Sequence, residues 1–593
     1  MIADVVFDLS LRHSLAYLVP DGLPLLPGQR VRAPLAGRTR VGVVVELRPE
    51  ERVGLKPITA AVEPVPILSR AMLDLGRWAA QESLSSLGAT LAALLPPPPQ
   101  RARGESVAPP PPARRAAPIP PELWVDAARE SRLVERLGGD EGASLVIAPD
   151  IEGAARWAER LDAARLDSGV PEGARRTAWF GGARGRPRIL VGTRSALLAP
   201  LPPPATLVLL DEHDPAHKPP GAPRMHSRDL LVERARLEGS RLLLLSATPA
   251  AETWWRADSR HFVRRESAPG PWPEVITADT RGILRNHPLT LPLTRAIEEM
   301  SRRGRRTALV VTREAAALGC DECGAAFRCP DCGVALALSR RDARLTCGVC
   351  SRAVPLPAVC PGCGGHRLSP FGWGAERVEA SLRRRFPRLG ISRATGSRLD
   401  PRADVVIGTA GLLRGAPPGS LGCVGFVAVD GLLRMPDFRA GERAFASLWA
   451  AAEAVGPGGR VIVQTLHPEH YALRAVKEQS RTGFYASELK FRAELGYPPF
   501  RRLCLVSIRG RSEEGARALA AECAGTLRGI PGLTVYPAAA RGAPGAGRPL
   551  WRFAIKGPAD LPRLIAEPLR PVLERGRRAS GVVEVEMDPL SLA

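Results

Sequence analysis

Four C-x-x-C pairs crowded into residues 320 to 363 constrain this chain more than any other feature. They are Cys320/Cys323, Cys329/Cys332, Cys347/Cys350 and Cys360/Cys363, eight of the eleven cysteines. Each pair sets two thiolates on one tight turn, and a glycine follows three of the four, where it lets the backbone fold around a metal. Unrelated free cysteines would not repeat that spacing four times. Eight thiolates make two tetrahedral four-cysteine sites, so the expectation is two zinc ions per chain. A closed shell leaves no position for water, which makes them structural. The long gap between the second and third pairs predicts a hairpin and a nested pairing. Cys320, Cys323, Cys360 and Cys363 would share one zinc, and Cys329, Cys332, Cys347 and Cys350 the other. Metal rather than disulfides fits a reducing compartment.

On both sides of this block, short apolar runs alternate with helical patterns. "SLVIAP", "RILVGT", "TLVLLDE" and "RLLLLSAT" precede it, and "TALVVT" before it pairs in style with "DVVIGT", "GFVAVD" and "RVIVQT" beyond. That alternation predicts two α/β lobes built on doubly wound parallel sheets, the second interrupted by the cysteines. Residues 1 to about 60 alternate apolar and polar positions between turn residues, as in a small β-barrel, and 68 to 95 look helical. "LPPPPQRARGESVAPPPPARRAAPIPPE" is too rich in proline for regular structure and reads as a stiff linker. The resulting division is an N-terminal domain 1–97, a linker 98–121, a first lobe 122–265, a second lobe 266–480 with its insertion at 320–366, and an α+β domain 481–593. The fold class is α/β multidomain.

A formal charge of +22 favours a polyanionic partner, nucleic acid first. Five lysines stand against 78 arginines, so the figure is discounted for compositional bias. The clusters "SRRGRRT" at 301–307 and "RRRF" at 383–386 offer guanidinium groups to phosphates. No apolar run reaches the ~18 to 20 residues of a membrane span, and the N-terminus lacks the basic start of a signal peptide. The reading is a cytoplasmic protein with no membrane partner.

"LVLLDEHDPAHK", Leu207 to Lys218, ends a buried strand in Asp211, Glu212, His213 and Asp214, groups able to hold magnesium and activate water beside a triphosphate. With "VGTRSALLAP", "RMHSRDL", "LLSATPAAE", the cysteine block, "IGTAGLLRG", "MPDFRAGERAF", "HPEHYAL" and "LGYPPF" in order, the chain resembles the primosomal protein N′ (PriA) family of superfamily 2 replication-restart helicases. The resemblance implies an N-terminal domain that binds the 3′ end of a nascent strand, two RecA-like helicase lobes and a C-terminal DNA-binding domain. It also implies forked or branched DNA, single-strand binding protein, other primosome proteins and the replicative helicase loading machinery as partners.

The same resemblance exposes losses. A phosphate-binding loop needs cradling glycines and a lysine, yet no Gly-Lys pair occurs, and no lysine lies between Lys56 and Lys218. "PELWVDAARESRLVERLGGDEGASLVIAP" cannot supply the loop. The family's Asp-Glu-Glu-His-Asp is one acid short at Asp211–Asp214, and "WAAAEAVGPGGR" replaces its arginine-finger run, leaving Arg460 beyond an apparent deletion. ATP and magnesium are therefore doubtful cofactors, with Asp211, Glu212 and His213 as relics. In the 3′-end pocket Leu15 and Ala16 replace Phe and Asp, whereas Lys56 matches a basic residue. The family's winged helix has no counterpart beside the linker. Three readings compete: a DNA-binding restart protein without ATPase, an active 3′-to-5′ helicase with a divergent nucleotide site, and a zinc protein binding RNA or another protein.

Overall fold

The computed structural model describes all residues except 51, 99–118, 222, 282–286, 313–317, 340–343, 348–349, 351, 371–373, 395, 397–398, 542–547, 575–580 and 593. Most of the stretch expected as a linker, where the winged helix has no counterpart, lies outside the described residues.

Strands Ile2–Phe7, Leu15–Leu18, Arg30–Leu35, Arg38–Arg48 and Ala60–Ala61 form an antiparallel sheet, spatially second, first, fourth, third, fifth. The hairpin loop Ala36–Gly37 has both residues at positive φ (51° and 77°), as a two-residue turn between twisted strands requires. Leu18 donates its N–H to Lys56 and accepts from Ile58, both at 3.0 Å, and so joins the two edges of the sheet into a small barrel. Helices Arg70–Glu82 and Leu87–Leu94 follow, capped by the hydroxyls of Ser69 and Ser86. Gly88 lies so close to the barrel that a Cβ would sit 1.7 Å from the Phe7 carbonyl oxygen.

The first lobe is a seven-stranded parallel sheet, in the spatial order 263–265, 122–124, 241–245, 206–209, 144–147, 189–192, 164–166. Its central strands are apolar on both faces. Leu145, Ile147, Leu207 and Leu209 point to one helical layer, and Val146 and Val208 to the other. The second lobe repeats the plan with six parallel strands, ordered 274–279, 460–465, 423–426, 307–310, 405–408, 391–393. These are the two RecA-like lobes. Ala247, Ala251 and Trp254 of the first lobe enter the apolar core of the second.

The cysteine module adds a two-stranded sheet, Leu318–Cys320 with Leu368–Pro370, and a three-stranded one, Ala337–Ser339, Arg344–Thr346 and Ala353–Pro355. The C-terminal sheet is built on Arg502–Gly510 between Leu550–Gly557 and Gly581–Met587. Period two decides its packing. Cys504, Val506 and Ile508 face helices Glu513–Leu527 and Leu561–Glu574, while Leu503 and Leu505 face the cysteine module. No helix among the described residues is long and apolar enough to cross a membrane.

Candidate functional site

The strand Thr206–Leu209 delivers Asp211–Asp214 to the edge of the cleft between the lobes. Asp211 takes a left-handed conformation, φ 46°, which a short acidic side chain tolerates. That bend turns Glu212 inward, where it is fully buried. One of its oxygens accepts from Arg228 Nη1 (2.8 Å) and Thr253 Oγ1 (2.6 Å), the other from the Ala250 N–H (3.0 Å). Both oxygens are thus engaged by protein donors. His213 Nδ1 meets Ser246 Oγ at 2.7 Å. Asp214 caps the turn Pro215–His217 through the Ala216 N–H (2.8 Å) and pairs with Arg414 of the second lobe (3.1 Å).

Where a phosphate loop should leave the strand Glu122–Trp124, only residues 125–128 intervene before the helix Arg129–Gly139. None is glycine. Asp126, nearly buried, pairs with Arg132 at 2.7 Å, and Glu130 adds a second acid to the first turn. These carboxylates already complement the positive end of the helix and would repel a triphosphate. Arg129 reaches across the cleft and donates two hydrogen bonds to Glu453, at 2.9 and 3.1 Å. Burial pulls the Arg129 pKa down, but Glu453 and then Asp211 outweigh it and hold the guanidinium charged. Glu453 projects from the helix Ala440–Val455, which carries "WAAAEAV" in place of the finger arginine. Arg460 lies farther on and pairs with Glu274 of the edge strand at 2.9 Å. The residues present do not fit magnesium and a triphosphate.

A second set of charges crosses the same cleft farther along. Glu252 of the first lobe accepts from Arg439 (3.0 Å) and Arg492 (3.5 Å), and Arg492 also bonds Glu488 (2.8 Å) and Glu442. All are buried or nearly so. Sequence reasoning quoted "MPDFRAGERAF" without assigning this role to Arg439 and Glu442. The available signal was an Arg-Glu pair with helical i,i+3 spacing.

The structure groups the eight cysteines into two tetrads, the first pair with the fourth and the second with the third. Within each, every sulfur lies within 4.8 Å of the others. Cys320 and Cys363, and Cys323 and Cys360, are 3.7 Å apart, and Cys329 and Cys350 are 3.5 Å apart. Four sulfurs about 2.3 Å from a tetrahedral zinc would be about 3.8 Å from one another, so the donor sets fit the ion. All four turns share one backbone bond. Cys320, Cys329, Cys347 and Cys360 each donate their N–H to the carbonyl five residues on, at 2.8 to 2.9 Å. Gly324, Gly333 and Gly364 supply positive φ behind them. At Gly333 a Cβ would lie 2.4 Å from Leu495, because the second tetrad is pressed against the C-terminal domain. Tyr497 donates there to the Cys332 carbonyl at 2.9 Å.

In the N-terminal barrel, Leu15 and Ala16 pair with Val5 and Asp4 on the neighbouring strand. The Tyr17 hydroxyl is turned inward, donating to the Pro34 carbonyl at 3.1 Å. Lys56 is exposed, and its ammonium has no ion-pair partner among the described residues.

Comparison with known proteins places these features in one lineage. Residues 4–96 match the PriA 3′ DNA-binding domain (3′BD), and residues 493–590 match the primosomal protein N C-terminal domain. The replication restart protein PriA of Synechocystis is 30% identical over 506 residues, covering 77% of this chain and 60% of that protein. PriA of Bacillus subtilis is 28% identical over 65% of this chain and 52% of its own length, and PriA of Treponema pallidum is 27% identical over 99% of both. The chain thus spans little more than half the length of the first two relatives. RecG bound to a three-way DNA junction matches with 11% identity over 64% of this chain and 47% of that one, at a TM-score of 0.34, which adds nothing to the assignment. With a matching domain near each end and relatives of one name aligned between them, the chain belongs to the replication restart PriA family.

Proposed function

We propose that this chain is a fork-binding protein of replication restart that works without turning over ATP. The single observation that carries the second half is the ion pair of Arg129 with Glu453, drawn across the place where a helicase receives triphosphate. The occupied oxygens of Glu212 support it. Phosphoryl transfer gains its acceleration from positioning and charge stabilisation, and the loop lysine, cradling glycines and finger arginine that supply them are lacking. Fork binding is inherited by similarity to the family, with Lys56 as one proposed DNA contact. Single-strand binding protein, other primosome proteins and helicase loading factors are the corresponding partners.

Within this reading the domains are 1–97, 122–265, 266–480 and 481–593, joined by the linker 98–121. Each cysteine tetrad binds one zinc, whose role is to hold the module in shape. The test is ATP turnover by purified protein with and without a DNA fork. The expected result is fork binding that weakens steeply with salt, and hydrolysis at background level. Fork-stimulated hydrolysis abolished by Glu212→Ala would restore the helicase reading. Equal affinity for RNA and forked DNA of the same length would favour an RNA-binding zinc protein.

A further inference from the structure

Aromatic residues are scarce in this chain, and among the described residues almost all are buried or half-buried, yet three rings gather at the surface where the first lobe meets the C-terminal domain. Phe500 is 42% exposed, the one aromatic among the exposed large hydrophobic residues described. It stands edge-on to Trp255, with centroids 6.2 Å apart at 66°. His261, also exposed, lies at 24° to the Trp255 ring with centroids 6.1 Å apart. All three are set on fixed backbone. Trp255 belongs to the helix Ala251–Asp258, His261 returns an N–H to the Arg256 carbonyl at 2.8 Å, and Phe500 tops a turn closed by its N–H to Tyr497 at 3.0 Å.

The charge around the rings is the second observation. Asp229 and Asp258 of the first lobe are already paired, the former with Arg228 and Arg256 and the latter with Arg264. Arg260 is exposed, and its guanidinium has no ion pair or hydrogen bond among the described residues. It sits just past the helix end at φ 61°, a left-handed conformation that glycine adopts freely and arginine only at a cost. Arg501 adds a second cation beside Phe500. An unpaired arginine held at positive φ next in the chain to one of these rings is poor design for a surface that only meets water. It suits a ligand with flat apolar faces joined by anionic links.

We propose that Trp255, His261 and Phe500, with Arg260 and Arg501, form a stacking platform for the bases of a single DNA strand. The site is separate from the N-terminal barrel and from the cleft, and goes beyond the fork-binding reading by naming where an unpaired strand would lie.

The test uses the full zinc-loaded chain and fluorescence anisotropy of labelled oligo(dT), with blunt duplex and a fork as controls. Phe500→Ala removes an exposed ring, and should weaken oligo(dT) binding about 5- to 100-fold, the range for losing one stacked base, while duplex binding holds. Trp255→Leu should do the same. Arg260→Gly relieves the backbone, so it should raise the melting temperature while lowering oligo(dT) affinity and the salt slope by about one. Parental oligo(dT) affinity in both Phe500→Ala and Arg260→Gly would overturn the platform, as would equal losses on duplex. A parent that binds forks but not oligo(dT) would overturn the platform alone, and one that binds no DNA would overturn both proposals.

Discussion

After the strand Thr206–Leu209 four ligand-type side chains gather, as many as in each cysteine tetrad, but they meet different things. The Glu212 oxygens are taken up by Arg228, Thr253 and a backbone N–H, and Asp214 by a turn and by Arg414. The thiols instead converge on one another, with knuckle N–H groups of Glu322, Ala325 and Gly362 aimed at sulfur at 3.4 to 3.5 Å. Donors that already have internal partners serve the fold. Donors arranged around a shared centre are arranged for an outside ion. The two regions therefore teach how ligand-type side chains can be turned to the fold in one place and toward a shared centre in another.

The harshest way to break this contrast is to remove the metal. Stripping zinc with a chelator, or Cys332→Ser, should unfold the module and loosen its packing on the C-terminal sheet. Structural zinc sites are worth about 10 to 16 kcal/mol in small domains. Metal analysis of the parent should give two zinc ions per chain, and one or none would defeat the assignment.

Next in size is the buried network of Glu252. Glu252→Gln removes one of the three carboxylates that neutralise Arg439 and Arg492, leaving Glu442 and Glu488 to serve both, and should cost about 3 kcal/mol in urea unfolding. Burial pushes the Glu252 carboxyl up, but Arg439 and Arg492 outweigh it and hold it well below the usual range. Arg228 and Arg256 do the same for Asp229. With depressed pKa values, the unfolded chain takes up protons first as pH falls. The stability is complete above a carboxyl pKa of about 4 and is lost as pH drops below it. Glu488, raised by burial, acts in the opposite sense. A parent curve flat from pH 5 to 3, or one unchanged by Glu252→Gln, would remove the network from the list of stabilising features.

A smaller loss, about 1 to 3 kcal/mol, is expected for Glu212→Ala, which strands Arg228 Nη1 and the Ala250 N–H. DNA affinity should not change, and a drop in it would tie this carboxylate to function after all. Smallest is Arg129→Ala, expected at about 1 kcal/mol because both partners keep some contact with water. Its better readout is the distance between dyes placed on the two lobes, which should broaden. An unchanged distribution would show that the Glu252 network alone holds the cleft.

Much of this was legible beforehand where a local pattern carries the information. "TLVLLDE" and "RLLLLSAT" are buried on both faces, so strands 206–209 and 241–245 announce themselves. The edge strand Val263–Arg265 and its neighbour Glu122–Trp124 are only three residues long, and they carry no periodicity to read. Repeated C-x-x-C spacing declared the knuckles because each is closed within a few residues. Arg129 and Glu453 are 324 positions apart, and nothing local marks either one. The Trp255 platform was missed for the same reason, since Phe500 joins it only once two domains have docked.

Lys218 follows the acidic motif and buries its ammonium against the carbonyls of Met587 (2.6 Å) and Asp588 (2.5 Å), about 370 residues along the chain. During translation at roughly 5 to 20 residues per second, those carbonyls emerge some 20 to 75 s after Lys218 does. Throughout that interval Lys218 stays hydrated on the first lobe, because the segment that buries it has not yet been made. Closing the far strand over the first lobe must therefore strip the water from this ammonium, and the two carbonyls, with Glu586 at 3.2 Å, take the water's place.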